Sequence, residues 1–600
     1  MVGMASEIEK GRITVKKIFT LVLATMMCLL FIMTSCSSSP SVTGDQENNN
    51  STPNGNNPDT SKEGSENAQN SDVPEYLNLE TDGLTAPIVK GDKIKINVAI
   101  SKAPTQGEAK QIWLWEYFRQ FHNIDAQVEQ VPDSAEYRKL AFASGDLPDL
   151  ILNMGVTNVE IMNYGVNGGL ILQADKYIDK YMPNLSAIYA EHPEFREEIT
   201  APDGHIYGFG QISDPKDETR GSQYFINCKW LEELGMEMPK TLDEFIDTLR
   251  AFKKNYPDSV PFNGGYNANN PCLAILSAYG WITQDPKGLS ASLRNGQVVF
   301  PYGDREIYGE YLKTMNTLYE EELMSHDFYT IENIAVNANV ASGNAGTYTT
   351  APWTANPDVY MDWDTPEPFT SKYNSEKIWP GRQGYVNNSF WIMSSQTKYP
   401  ELLCKWADFW YNEQGMALAH YGPPIGSKYD TYGLIEGWKW NEKTSWIEYP
   451  EVVNDKENKY NGMENPYRQQ HIMIGTGVNF GDIRDFFGAT AALVGVDYKR
   501  EWTADSLDFR HYYTVAQHEK PYYIEPYPGN VFFTPEVNQR ITDLQSVINA
   551  YVETESAKFI TGARKLTEEE LKNYFDGLDK LGYQEYLKYY FDYYSEYKSK

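Results

Sequence analysis

Five segments between Ile94 and Leu152 alternate in hydrophobic period, and that alternation limits the possible fold more than any other stretch. Ile94 to Ile100 reads Ile-Lys-Ile-Asn-Val-Ala-Ile, alternating at first and rich in β-branched residues, so a strand is expected there. From Gly107 to about His122, Ile112, Trp115, Phe118 and Phe121 fall at helical spacing. Ala126 to Val131 returns to strand and Ser134 to Ser144 to helix. Gly145-Asp146-Leu147-Pro148-Asp149 then turns the chain into a short buried strand, Leu150-Ile151-Leu152. Strand, helix, strand, helix, strand in that order implies an α/β layer with a largely parallel sheet, because parallel neighbours need crossover connections.

Ahead of this layer lies a segment of another kind. Lys16 and Lys17 precede an apolar run from Ile18 to Met33, which ends in Met33-Thr34-Ser35-Cys36, a small-residue site closing on a cysteine. Charge, apolar run and cleavage site make a secretory signal over residues 1–35, too short for a comfortable membrane span. An uncleaved N-terminal anchor is the alternative. The tetrapeptide resembles a bacterial lipobox, which implies cleavage before Cys36 and lipid on its sulfur. Residues 37 to about 72 are Ser, Asn, Gly, Asp, Glu and Pro with scarcely an apolar side chain. They have too little surface to bury against the cost of chain entropy, so 36–75 reads as a lipidated cysteine on a flexible leash. Acyl chains contribute about 0.8 kcal/mol per buried CH₂, enough for several on one cysteine to hold the body near the outer face of a bacterial membrane.

What remains is long enough for two or more domains. A formal net charge of −31 argues against nucleic acid, since neutralising phosphates requires clustered Lys and Arg. Cys28 leaves with the signal, and Cys228, Cys272 and Cys404 form no CxxC or Cys/His cluster, so they read as small buried hydrophobes; one disulfide is the other possibility. Fourteen Trp and 44 Tyr exceed what a core of this size needs, and rings with a polar edge suit a surface that grips something both apolar and wet.

The stretch Ala143-Ser144-Gly145-Asp146-Leu147-Pro148-Asp149 resembles a motif of family 1 extracellular solute-binding proteins, the lipoprotein receptors of ABC sugar importers. Gly168-Gly169-Leu170-Ile171, Asp175-Lys176-Tyr177-Ile178 and Met182-Pro183-Asn184 are similar to the family's next segment. So are Asp203 through Gly208, Asn227 through Phe252, Leu318 through Leu323 and Lys558 through Gly562, so the resemblance spans most of the body. It implies an α/β, two-lobed periplasmic-binding-protein-like fold of type II, its lobes joined by hinge segments. The expected first lobe is 93–211 with 383–430 and the second 212–382 with 431–600, with passages near 211, 383 and 430. The partners implied are a carbohydrate ligand, an oligosaccharide of several units given the chain length, and the permease subunits of an ABC transporter. The lipid supplies the membrane contact, and the receptor is expected to act as a monomer.

A carbohydrate offers flat CH patches and a rim of hydroxyls, so its site needs aromatic faces together with Asn, Asp, Gln or Arg. In the resembled family the aromatic matching Trp353, after the strand and turn from Ala345, commonly faces the sugar; the alternative for Trp353 is a core position under the turn. Trp391 and Trp281 are further ligand-binding candidates, and Trp391 could equally pack inside the sheet. Asn153 and Asp149 are placed at the carboxyl end of a strand, where open α/β sheets bind ligands, with turn capping as the alternative for Asp149.

Read without the family, Thr241 to Lys254 is a surface helix: Thr241 and Glu244 make a capping box, and Leu242, Phe245, Ile246, Leu249 and Phe252 one apolar stripe. Thr567 with Glu570 repeats the device, and Tyr583 to Tyr594 reads as a tyrosine-rich helix covering the body. No catalytic residue, cofactor or metal is expected. The chain has no Gly-x-Ser-x-Gly elbow, His-Glu-x-x-His helix or Gly-x-x-x-x-Gly-Lys loop, and acidic pairs carry no information among 83 acidic residues. Larger members of the family often carry an Asp/Asn-rich calcium loop after the helix matching Phe245 to Lys254. Here only Asn255-Tyr256-Pro257-Asp258-Ser259 follows, too few oxygens for calcium. A secreted glycoside hydrolase or polysaccharide lyase is the rival reading. A surface adhesion or scaffold protein is a third, disfavoured because no repeat is visible.

Overall fold

β1 (Ile94–Ser101) carries Ile96, Val98, Ala99 and Ile100 inward and is the strand on which the first sheet is built. The computed structural model describes residues 73–212, 223–350, 352, 355–381, 383–387, 389–460, 464–475, 486–498 and 510–599; the signal, Cys36, the leash and Trp353 lie outside the described residues. α1 (Trp113–Gln120) follows a 3-10 turn at Ala109–Gln111 and buries Trp113, Leu114, Trp115, Tyr117 and Phe118. β2 (Ile124–Val131) pairs in parallel with β1, from Ile94 against Ile124 to Ser101 against Val131. α2 (Ser134–Ser144) starts where the Asp133 side chain accepts the Glu136 N–H and stops at Gly145, φ 72°. β3 (Leu150–Leu152), buried throughout, joins the other edge of β1 in parallel. The carboxyl ends of β1, β2 and β3 therefore share one edge.

α3 (Pro193–Glu198) packs Phe195 into the same core and ends in Glu198. β4 (Phe225–Asn227) is the centre of a second sheet. α4 (Leu242–Asn255) forms with the capping box read from the sequence, Thr241 accepting the Glu244 N–H and the Glu244 carboxylate accepting the Thr241 N–H. Its stripe of Phe245, Leu249 and Phe252 is fully buried. β5 (Thr347–Tyr348) and β6 (Trp363–Asp364) flank β4, both antiparallel. β7 (Trp391–Met393) returns to the first sheet, antiparallel to β3, giving the order β7-β3-β1-β2. α5 (Pro400–Asp408) buries Leu402, Leu403, Trp406 and Ala407 against that sheet's core. The chain ends in α6 (Pro535–Ile560), α7 (Glu568–Lys580) and α8 (Tyr583–Ser599), which bury Ile541, Leu544, Ile548, Tyr574, Tyr583 and Tyr586 against the second sheet's lobe.

The apolar side chains thus collect around two sheets, the α/β two-lobed arrangement that the family resemblance implies. Among the described residues, three passages between the cores can be placed. The first passage lies between Ile212 and Tyr224, the second between Trp379 and Val386. A third passage near 430 is corrected by the structure: Ile435, Trp438, Ile447, Tyr449, Tyr467 and Ile472 all pack in the first core. Trp438 Nε1 donates to the Gly422 carbonyl at 2.8 Å and the Tyr449 hydroxyl to Tyr421 O at 2.7 Å, so residues 431–460 and 464–475 belong with the first sheet rather than the second lobe. Each of these large side chains gains roughly 2 kcal/mol by burial, which holds the segment there. The third passage falls between Leu493, packed on the first core, and Thr514, whose hydroxyl meets Thr365 beside β6 at 3.3 Å.

The segment leading into the first passage and the segment leaving the second run side by side in the first core, bridged at Phe209 to Trp391 and Ile212 to Val386. Between the bridges, a Cβ on Gly210 would stand 1.7 Å from the Asn387 carbonyl oxygen, so only glycine allows the approach. The Tyr411 hydroxyl donates to Gly210 O at 2.9 Å and accepts the Gly210 N–H at 3.2 Å. Cys228, Cys272 and Cys404 are free thiols, the last two buried, and no disulfide forms among them.

Candidate functional site

At the carboxyl edge of the first sheet, β3 gives way to Asn153, φ 51°, whose N–H donates to Phe390 O at 2.7 Å. The chain turns through Gly155, φ 67°, to Thr157, which caps the next helical turn in a capping box with Glu160. Arg138 of α2 locks this turn: its Nε lies 3.0 Å from Glu160 Oε1, and a second guanidinium nitrogen donates to the Met154 carbonyl. Both partners of that ion pair are largely buried, which makes it stronger than a surface pair.

This rim forms one wall of a groove of about 380 Å³. The opposite walls come from residues 383–387 and Ser389, where the second passage enters the first lobe, and from Gly529 and Asn530, in a loop that reaches back from the second lobe. Thr157, Asn158, Gln383, Asn387, Ser389 and Asn530 line it, with Tyr385 as the aromatic member. Primary amides carry donors and an acceptor in one plane and match the alternating donor and acceptor roles of neighbouring hydroxyls. Some of that capacity positions the site: Asn158 Nδ2 donates to Val531 O at 3.3 Å, Gln383 Nε2 to Tyr527 O at 3.0 Å, and Asn387 Oδ1 accepts from the Ser389 hydroxyl at 2.6 Å. Tyr385 stacks on Phe195 of α3, ring centroids 4.9 Å apart.

Behind the groove sits Glu198. Its Oε2 accepts the N–H groups of Tyr385 at 2.5 Å and Val386 at 3.3 Å, and its Oε1 accepts Asn530 Nδ2 at 2.7 Å. The same Asn530 amide donates to Val386 O at 2.7 Å, closing a ring of contacts. Burial pushes the Glu198 carboxyl up to about 7; the donors from Tyr385, Asn530 and Val386 pull it back, and the charge of Glu525 adds to the rise.

Two of the tryptophans expected to bind ligand, Trp391 and Trp281, are buried in the cores. Trp391, 0% exposed, stands in the middle of the first core at the start of β7 and meets Trp406 edge to face at 5.3 Å, so it is a core residue of the first lobe. Trp281, also 0% exposed, donates from Nε1 to Asp304 Oδ2 at 3.1 Å and stacks on Tyr279 in the second core. Asp149 is at the amino end of β3, not the carboxyl end: its carboxylate accepts the Asn97 N–H at 2.9 Å and the Thr397 hydroxyl at 2.8 Å, a clamp between β1 and the segment after β7. Asn153 lies at the carboxyl edge, two residues before the groove's rim. Trp353 falls outside the described residues. The amides at 383–389 and 529–530 escaped the sequence reading, although Gly384-Tyr385-Val386-Asn387-Asn388-Ser389 and Pro528-Gly529-Asn530 set polar amides beside glycines, the one signal that marks them.

At the position of the family's calcium loop, Lys253 donates from Nζ to Ser259 O at 3.3 Å, so an ammonium points into the loop. Among the described residues no three His, Cys, Asp or Glu side chains are grouped to hold a metal ion.

Residues 102–417, more than half of the chain, match the family described as bacterial extracellular solute-binding protein. The fructooligosaccharide ABC transporter substrate-binding protein FusA of Streptococcus pneumoniae serotype 4 is 27% identical over 571 residues, covering 89% of this chain and 95% of that protein. The polygalacturonan/rhamnogalacturonan-binding protein YtcQ of Bacillus subtilis is 25% identical over 228 residues, 38% of this chain and 44% of its own. Among solved structures, S. pneumoniae FusA in complex with kestose superposes with a TM-score of 0.63 at 24% identity, covering 84% of this chain and 100% of that one. An extracellular solute-binding protein from Bifidobacterium longum subsp. infantis superposes with a TM-score of 0.66 at 20% identity, covering 84% of this chain and 98% of its own. By sequence and by fold, this chain belongs to the bacterial extracellular solute-binding protein family.

Proposed function

We propose that the protein is a lipid-anchored receptor on the outer face of the bacterial membrane that binds an oligosaccharide and delivers it to the permease of an ABC importer. One observation carries the reading: in a chain that aligns with FusA over nearly its whole length, an amide-lined groove opens where the second passage, a loop from the second lobe and the carboxyl edge of the first sheet meet. Neutral amides and hydroxyls bind a polyhydroxylated solute without needing its charge. A site touching both lobes lowers the energy of the closed state when filled, which lets a permease distinguish loaded from empty receptor. Lipidation at Cys36, action as a monomer, and binding without turnover belong to the same proposal, and the sequence layout around Cys36 supports the first.

The test is a thermal-shift screen of the full-length protein in detergent against kestose, nystose, pectin-derived and other plant oligosaccharides, with product chromatography of each incubation. Saturable stabilisation by an oligosaccharide that is recovered intact is the expected result. Shortened glycan products would establish the hydrolase or lyase reading instead.

A further inference from the structure

We propose that Glu198 is a positioning residue of the solute groove: from the end of a first-lobe helix it fixes Tyr385, Val386 and Asn530 against one another and so sets the wall that a solute meets. The inference rests on the groove proposed above as the solute site. Three observations carry it.

First, the carboxylate spans two chain segments far apart in sequence. Oε2 takes two successive backbone N–H groups of the second passage, and Oε1 takes the Asn530 amide of the loop from the second lobe. Second, the backbone is shaped to admit it. Gly384 has φ +73°, and a Cβ there would stand 2.0 Å from Glu198 Oε1, so the glycine supplies both the left-handed turn and the space for the carboxylate. Third, Asn530, a residue that lines the groove, is held on both sides, by Glu198 and by Val386 O.

The chemistry demands a carboxylate. Three donors converge on two oxygens, and an acid oxygen bearing a proton, or the NH₂ of a glutamine, would turn a donor towards a donor. Ionised Glu198 satisfies all three; neutral Glu198, or the amide that Glu198→Gln puts in its place, satisfies only one side. The titratable groups around it are Glu525 on the loop from the second lobe, Tyr189 on the helix Pro183–Glu191, Tyr385 on the second passage, and Tyr593 and Tyr597 on α8. Arg196 on its own helix faces Asp179 at 3.3 Å. Glu525 is thus the neighbouring charge that opposes ionisation, and burial does the rest, which brings the change of state to about pH 7.

The experiment follows amide hydrogen exchange of peptides covering 383–391 in the full-length protein in detergent, wild type and Glu198→Gln, at a series of pH values corrected for intrinsic exchange, with kestose affinity measured in parallel. In the wild type, protection at Tyr385 and Val386 is expected to fall about tenfold as pH drops through 7, and in Glu198→Gln to stay at the lower level throughout, with an unchanged far-ultraviolet spectrum. Kestose affinity should follow the same profile in the wild type and lose it in the variant. Equal protection in both proteins at every pH would overturn the proposal. Should Glu198→Gln fail to fold, the wild-type profile decides alone: a step near pH 7 supports the assignment and a flat profile defeats it. Should kestose bind neither protein, the sugar reading fails, while the exchange data still decide the role of Glu198.

Discussion

Glu198 shows how one burial event serves position at the expense of stability. Its folded value of about 7 lies above the ordinary glutamate value of 4.5, so the folded protein holds a proton that the unfolded chain releases. The favourable contribution is complete below the ordinary value and disappears as pH rises through about 7. Glu198→Gln, which never ionises, is therefore expected to melt higher than the wild type at about pH 8, with the difference shrinking towards zero below about pH 5. Differential scanning calorimetry at the two pH values checks this; a variant that melts lower than the wild type at the higher pH would contradict the burial argument. The residue scale is also where the sequence was least informative. Trp391 and Trp281 were legible as important aromatics, but strand position says that a ring is buried or exposed by turns and not which lobe's interior receives it. Asp149 sits in a turn motif, and only the register of β1 against β3 shows its carboxylate spending itself on Asn97 and Thr397.

At the scale of elements, local signals did better. The alternation over Ile94–Ile100, the helical spacing around Trp115 and the Thr241/Glu244 capping box each specify an element from neighbours within a few residues, and each element forms. The lobe to which residues 431–460 belong was misassigned, because their strands are three residues long and their place is decided by where Trp438 and Tyr449 find partners at Gly422 and Tyr421. The groove amides were hard to read for a related reason: the segment around Val386 pairs with the one around Ile212 by isolated bridges, not by a strand with a period. Those bridges hang on Gly210. Gly210→Ala would drive a methyl group into the Asn387 carbonyl and force the passages apart, at a cost of about 2 kcal/mol or more. The expected outcome is a lower melting temperature together with weaker oligosaccharide binding; an alanine variant with unchanged melting would show that the passages are not locked at this point.

At the scale of the whole molecule, the second passage enters the first core along the groove, so residues that connect the two cores also line the proposed solute site. Closure of lobes about such a junction couples occupancy to shape, since a solute that touches both sides favours the state in which both sides are near. The lipid anchor proposed at Cys36 would then keep that shape change within reach of a membrane permease. The measurement that bears most directly on this account is the crystal structure of the protein with a bound oligosaccharide identified by the screen. The account predicts an intact glycan in the groove, with its hydroxyls hydrogen-bonded to Asn387, Asn530 or Asn158 and a ring against Tyr385; a glycan seated away from the Gln383–Ser389 wall would contradict it.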